Sequence, residues 1–309
     1  MGTLFRVVVA SDERVTADAA IAACFDRIAH VDLIASEWDS ASVVSELNRR
    51  AGAGPLAVPP DLFELLRIAR DVAEQSEGAF DPTWAVVRPL WPFDGTDRVP
   101  DSADVSARAA LIEWRRLALD STASMAALER DGMAIGLGAI AKGFALDLAS
   151  AELRRRGFAD FILYAGGQVY AAGAKPGGRA WRIGVQDPRG GANDVFASLD
   201  LRDESASTSG DYEHFFIEAG VRYHHIIDTR TGYPARGARC ATVIAADGTL
   251  ADAYSTAAFV LGPEKGLALA RERRFELLIV DAGGGVHMSD GMKRRATIHK
   301  PPRKDDAPP

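Results

Sequence analysis

The run Gly136-Leu137-Gly138-Ala139-Ile140-Ala141-Lys142-Gly143 joins small residues, which let main-chain amides approach an anion, to one ammonium group. It leads into a helix-patterned stretch from Phe144 to Arg156. Glycines, a lysine and a helix N-terminus aimed at one place are the elements of a phosphate site. The spacing is not the GxxxxGK[ST] of a P-loop, so the run by itself is also open to being the punctuation that starts a helix. A second group is Asp252-Ala253-Tyr254-Ser255-Thr256. Positions four apart share a helix face, so the Asp252 carboxylate and the Thr256 hydroxyl can converge on one hard cation such as Mg²⁺. The alternative is a first-turn carboxylate favoured by the helix dipole, followed by a threonine bonded to its own backbone.

His224-His225-Ile226-Ile227-Asp228-Thr229-Arg230-Thr231-Gly232 reads as a strand and then a turn. Period-two alternation sends the two histidines to opposite faces, so they cannot chelate one metal together; either can be a general base or a hydrogen-bonded structural residue. Ser205-Ala206-Ser207-Thr208-Ser209-Gly210-Asp211-Tyr212 and Ala165-Gly166-Gly167-Gln168 gather hydroxyls and glycines that fit ordinary turns or close backbone approach. No GxSxG elbow is present, which leaves a serine hydrolase unsupported. Trp38 sits in a polar stretch, where it either packs into the core or offers a stacking surface.

The elements that must position these residues alternate irregularly. Hydrophobic spacing predicts a strand over Thr3 to Ala10 and helices over Thr16 to Ile34, Asp61 to Ser76, Ala103 to Trp114 and Ala141 to Arg156, the last capped by Gly157. Ser36 to Asn48 reads as a polar loop. Met125 to Glu129 and Met133 to Leu137 read as a hairpin closed by Asp131-Gly132. Further strands are expected at Asp160 to Tyr164, Val169 to Gly173, Trp181 to Gln186, Phe196 to Leu201, Tyr223 to Asp228 and Ala241 to Ala246. Helices follow near Asp252 to Leu261 and Glu264 to Arg273, then a hairpin of Glu276 to Asp281 with Val286 to Met288. Without a regular βαβ period, the pattern predicts α+β with a mixed, largely antiparallel sheet.

The 309 residues, 47% hydrophobic and 26% charged, suit one large domain or two intimate halves with a substantial core. A net charge of -7 argues against a nucleic-acid binder, and Arg154-Arg155-Arg156 reads as a solvated helix end. Cys24 and Cys240 lack metal-ligand spacing and are expected to be buried thiols. No run has membrane-spanning length and the N-terminus has no signal-peptide pattern, so the chain as written is expected to be cytoplasmic, or exported if a leader has been trimmed. The polar, proline-rich segment 300–309 is expected to be a disordered tail.

Taken in order, eight short blocks form a recognisable series. They are Met1-Gly2-Thr3, Ser45-Glu46-Leu47-Asn48, Gly78-Ala79-Phe80-Asp81-Pro82-Thr83, Gly138-Ala139-Ile140-Ala141-Lys142-Gly143, Ala165-Gly166-Gly167, Ser207-Thr208-Ser209-Gly210-Asp211-Tyr212, His225-Ile226-Ile227-Asp228 with Thr231-Gly232, and Asp252-Ala253-Tyr254-Ser255-Thr256. In this the chain resembles the ApbE family of flavin transferases, FAD:protein FMN transferases. The resemblance implies one such domain over residues 1–299, an α+β fold, and an active site between two halves. It implies Mg²⁺-dependent cleavage of the FAD pyrophosphate, placement of the FMN phosphate on a Ser or Thr hydroxyl of an acceptor flavoprotein, and release of AMP. An FAD pyrophosphatase giving free FMN, or a non-catalytic flavin-binding protein, are the alternatives.

By the same resemblance, Asp252, Thr256 and the Ala139 carbonyl would hold the metal, and Lys142 would hold the phosphates. Met1, Trp38, Ala79, Phe80, Asp81 and Ile226 would line the FAD site, and His225 is the candidate base. The chain departs from the family pattern at Gly136, where relatives commonly carry an aspartate, and at Thr229, where they often carry proline.

Overall fold

The computed structural model describes residues 2–96 and 98–304. Among them are seven α-helices: α1 (Arg14–Ala35), α2 (Val43–Arg49), α3 (Pro60–Gln75), α4 (Ser102–Ala109), α5 (Ala141–Arg155), α6 (Gly248–Arg273) and α7 (Asp290–Arg295). The largest sheet has seven strands, here β1 (Phe5–Val9), β2 (Phe161–Ala165), β3 (Gln168–Ala172), β4 (Glu204–Gly210), β5 (Ala238–Ala245), β6 (Glu276–Asp281) and β7 (Val286–Met288). They lie side by side in chain order, and every neighbouring pair is antiparallel. The expected α+β class with an antiparallel sheet is therefore the architecture found.

The chain divides into two compact units. One comprises Gly2–His30, Lys142–Gly210 and the chain from Gly237 onward, and holds this sheet. Its middle strand β5 is buried at seven of eight positions, because α6 packs across β4, β5 and β6. Asp247 caps α6 by accepting the Leu250 amide at 2.8 Å. The helix then bends at Gly262, whose φ of 74° only glycine adopts readily, and Pro263 restarts it. The two helices expected here are thus both present, divided at Gly262, and the first starts a turn earlier than expected. Cys24 and Cys240 are both buried free thiols, and burial pushes the Cys24 thiol up to about 11.

The other unit contains Val31–Ala141 and Asp211–Arg236. Its core gathers Val86, Val87, Trp91, Val105 and Ile227, with Phe216, Tyr223 and Tyr233 packed on it. Trp91 stacks on Tyr223 at 5.8 Å and donates its indole N–H to the Gly232 carbonyl at 2.9 Å. The aromatic-rich stretch after α3 is the interior of this unit.

Several expectations are corrected. Ser45 to Asn48 is helical, not loop, because Ser42 caps α2 by accepting the Ser45 amide at 3.0 Å. Met125–Leu128 pairs with Leu117–Asp120 and Leu56–Ala57, and not with Met133 to Leu137. The latter stretch makes only an isolated bridge, Ala134 to Trp84, among the described residues. The helix expected over Ala103 to Trp114 stops at Ala109. The serine-rich segment Ser205 to Gly210 is strand β4 rather than a turn, whereas Gly166-Gly167 is indeed the turn joining β2 to β3. The strand expected over Tyr223 to Asp228 is interrupted, as Val221–His224 and Ile227–Asp228 belong to different ribbons. Of the expected tail 300–309, residues 305–309 lie outside the described residues. The part before them is held in place: Pro302 is buried, and the Arg303 amide donates to the Asp187 carboxylate at 3.1 Å.

Candidate functional site

In the unit that holds the sheet, Asp252 is brought to the start of α5 by the contact between α5 and α6. A Cβ on Gly143 would lie 2.0 Å from the Gly248 carbonyl oxygen, so only glycine lets the helices meet this closely. Asp147, one turn along α5, fixes the meeting by accepting the amides of Gly248 at 2.6 Å and Thr249 at 2.8 Å. Asp252 follows in the second turn of α6, so it is not the first-turn carboxylate of the simpler reading.

The Asp252 side chain is 4% exposed, and each oxygen has donors. Lys142 Nζ lies 2.9 Å from Oδ1 and 3.2 Å from Oδ2, the Gly143 amide donates to Oδ2 at 3.1 Å, and the Ser207 hydroxyl donates to Oδ1 at 3.3 Å. From Asp252 a line of hydroxyls runs along the sheet face. Ser255 Oγ donates to Ser207 Oγ at 3.4 Å, Ser209 Oγ lies 2.8 Å from Ser255 Oγ, and Thr256 Oγ1 is 3.1 Å from Ser209 Oγ. Ser207 and Ser209 share a face because strand side chains alternate. Sequence reading noted these serines but not their address; the signal was the period-two spacing of Ser205, Ser207 and Ser209.

Lys142 is therefore brought onto Asp252, and Thr256 stands at the far end of the line of hydroxyls that starts there. A buried carboxylate and hydroxyl oxygens are donors suited to a small hard cation, which would have to take the place on the Asp252 carboxylate that Lys142 holds in this structure. Among the described residues no three His, Cys, Asp or Glu side chains form a metal-binding group.

The remaining expected site residues lie in the other unit. Ala139 is half-exposed on the glycine loop, and Gly138 beside it is open, with nothing within 4 Å of a Cβ. The loop is held from two sides. Asn48 bonds both the amide and the carbonyl of Ile135, at 2.7 and 2.9 Å, while the Gly136 amide donates to the Pro82 carbonyl at 2.8 Å. Trp38 is not a core residue: it is 72% exposed, and the Arg88 guanidinium sits 4.5 Å from its ring centre. An exposed tryptophan held by a cation is a ready stacking surface.

Ala79, Phe80 and Asp81 are buried in the turn after α3. Asp81 Oδ1 accepts from Thr83 N and Oγ1 at 2.8 and 2.7 Å, and Oδ2 accepts from the Trp114 amide at 3.1 Å. Burial raises its carboxyl pKa, and those hydrogen bonds pull it partly back. Met1 lies outside the described residues.

The histidines separate in role. His224 is buried; its Nδ1 accepts the Ile226 amide at 3.2 Å, which leaves Nε2 to donate to the Ala235 carbonyl at 2.8 Å. Burial pushes its pKa down to about 4. His225 follows the strand, is half-buried, and meets the ring of His214 edge-on at 5.4 Å. Ile226 is buried, and its carbonyl accepts the Ala235 amide at 2.9 Å.

The profile of the ApbE family matches residues 1–279. An FAD:protein FMN transferase of Treponema pallidum (strain Nichols) is 37% identical over 290 residues, covering 88% of this chain and 80% of that protein. Another from Klebsiella pneumoniae (strain 342) is 36% identical over 235 residues, covering 75% and 72%. Among solved structures, the ApbE protein of Thermotoga maritima superposes with a TM-score of 0.86 at 35% identity, over 95% of this chain and 96% of that one. The apo flavinyl transferase ApbE of Pseudomonas stutzeri gives 0.81 at 26% identity, over 95% and 97%. The sequence blocks, the antiparallel architecture and these matches together establish that the chain belongs to the ApbE family.

Proposed function

We propose that this chain is an FAD:protein FMN transferase that moves FMN from FAD to a Ser or Thr hydroxyl of an acceptor flavoprotein and releases AMP. Kinship to proteins of that name supports the reaction class, and the observation that carries the chemistry is the buried Asp252 carboxylate paired with Lys142, from which a line of hydroxyls leads to Thr256. In the reaction the acceptor oxygen bonds to the FMN-side phosphorus, and the bond from that phosphorus to the bridging oxygen breaks. AMP leaves with the bridging oxygen.

Negative charge accumulates on the leaving phosphate, so the site must supply positive charge there. Mg²⁺, held by Asp252, Thr256 and the Ala139 carbonyl, would supply it, a contribution of several kcal/mol. Lys142 orients the phosphates, and Gly143 and Ser207 hold the Asp252 carboxylate in place through the bonds described above. Trp38 offers its exposed face to the flavin ring. Ala79, Phe80, Asp81 and Ile226 shape walls rather than donate groups, since they are buried; Met1 takes its proposed place in the flavin site from the family pattern alone. His225 receives the proton of the acceptor hydroxyl. His224 is unsuited to that step, because its Nδ1 already accepts a main-chain amide.

The test is AMP release from FAD as Mg²⁺ is titrated. Asp252→Ala should abolish the Mg²⁺-dependent rate, and His225→Asn should keep FAD binding while slowing transfer by about 10²- to 10⁴-fold. Unchanged turnover in Asp252→Ala would refute the metal assignment, and a full rate in His225→Asn would remove the base.

A further inference from the structure

Position 136 is the departure from the family pattern with the largest chemical consequence, since a carboxylate is expected there and glycine is found. The space beside Gly136 is nevertheless filled. A Cβ built on Gly136 would lie 2.7 Å from Glu37 Oε2, 2.9 Å from Trp84 Nε1 and 3.0 Å from the Ala85 Cβ. The φ of Gly136 is not positive, so glycine is required here by space and not by backbone conformation.

Glu37 comes from the segment between α1 and α2, and its side chain is 4% exposed. Oε1 pairs with Arg88 Nη1 at 3.2 Å, and Arg88 is the residue stacked on Trp38. Oε2 is buried and makes no hydrogen bond of standard geometry. Burial raises the pKa of the group, while Arg88 and the nearby Leu137 and Gly138 amides draw it back. A buried carboxylate oxygen that makes no hydrogen bond of standard geometry is costly, and a well-placed N–H or O–H donor would relieve that cost.

We propose that Glu37 supplies, from a different part of the chain, the carboxylate that position 136 lacks, and that its Oε2 accepts a hydrogen bond from an N–H or hydroxyl of the bound flavin nucleotide. Glu37 and Gly136 are then an exchangeable pair, in which one acidic side chain and one glycine share a single space. Through Arg88, the same carboxylate also sets the position of the Trp38 ring. The proposal rests on the flavin reading above.

The test is a double-mutant cycle of Glu37→Ala, Gly136→Asp and both together, followed by FAD titration and by thermal melting. Gly136→Asp alone places two carboxylates in one space, so it should lower the melting temperature and weaken FAD binding. Glu37→Ala alone empties the space and should weaken FAD by about tenfold or more. The double variant should bind FAD within about threefold of the unaltered protein, a coupling expected only of residues in contact.

A Gly136→Asp variant that binds as tightly as the unaltered protein would overturn the proposal. So would a double variant that regains its melting temperature but not its FAD affinity, which would leave Glu37 as packing alone. If the unaltered protein binds no FAD, it is the flavin reading that fails. The melting cycle then still decides whether the pair shares one space, because Glu37→Ala must relieve the damage of Gly136→Asp.

Discussion

At the scale of single residues, His224 shows how burial assigns a role that residue type leaves open. Its pKa falls from an ordinary 6.5 to about 4, with Asp211, Arg222 and Arg236 as its charged neighbours. For a base with a depressed pKa, the stabilising contribution is complete above 6.5 and is lost as pH falls through about 4. The shift corresponds to about 3 kcal/mol. His224→Asn should therefore be less stable than the unaltered protein at pH 7, with the difference shrinking between pH 6.5 and 4; urea unfolding across that range measures it. A constant difference would show that His224 does not titrate as described. From sequence, His224 and His225 were indistinguishable, because alternation gives faces but not which face is buried. Glu37 gave no signal at all, since its importance depends on Gly136, ninety-nine positions away in the chain.

At the scale of elements, the α5–α6 contact decides where Asp252 lies. Gly143→Ala should destabilise the fold by about 3 kcal/mol or more, at or above the upper end of usual overpacking, because its new methyl would meet backbone that cannot rotate away. Gly138→Ala is the matched control, having nothing within 4 Å of its Cβ, and should be nearly neutral. Equal denaturant midpoints for the two variants would contradict the close approach. Most helices and sheet strands were legible, because spacing and glycine caps report them directly, as at Gly157 after α5. Pairing was less legible: Met133 to Leu137 has strand composition, but Pro82 and Asn48 take its hydrogen bonds. The serines of β4 were read as a turn because hydroxyl-rich segments favour turns, and only packing against α6 makes them a strand facing Asp252.

At the scale of the whole molecule, the net charge of -7 argues against a general nucleic-acid binder, and no described helix is long and apolar enough to cross a membrane. The two units carry distinct parts of the proposed chemistry: the sheet unit holds Lys142, Asp252 and Thr256, and the other holds Trp38, the glycine loop and His225. The family was legible because its blocks stand in order along the chain, although each is too short to identify it alone. Transferase and pyrophosphatase differ in what becomes of the FMN half of FAD, and a flavin carrier leaves FAD whole. The deciding measurement is the mass of an acceptor flavoprotein domain after incubation with this protein, FAD and Mg²⁺. The account predicts an acceptor heavier by one covalently bound FMN, with AMP released in equal amount; AMP with only free FMN, or intact FAD, would contradict it.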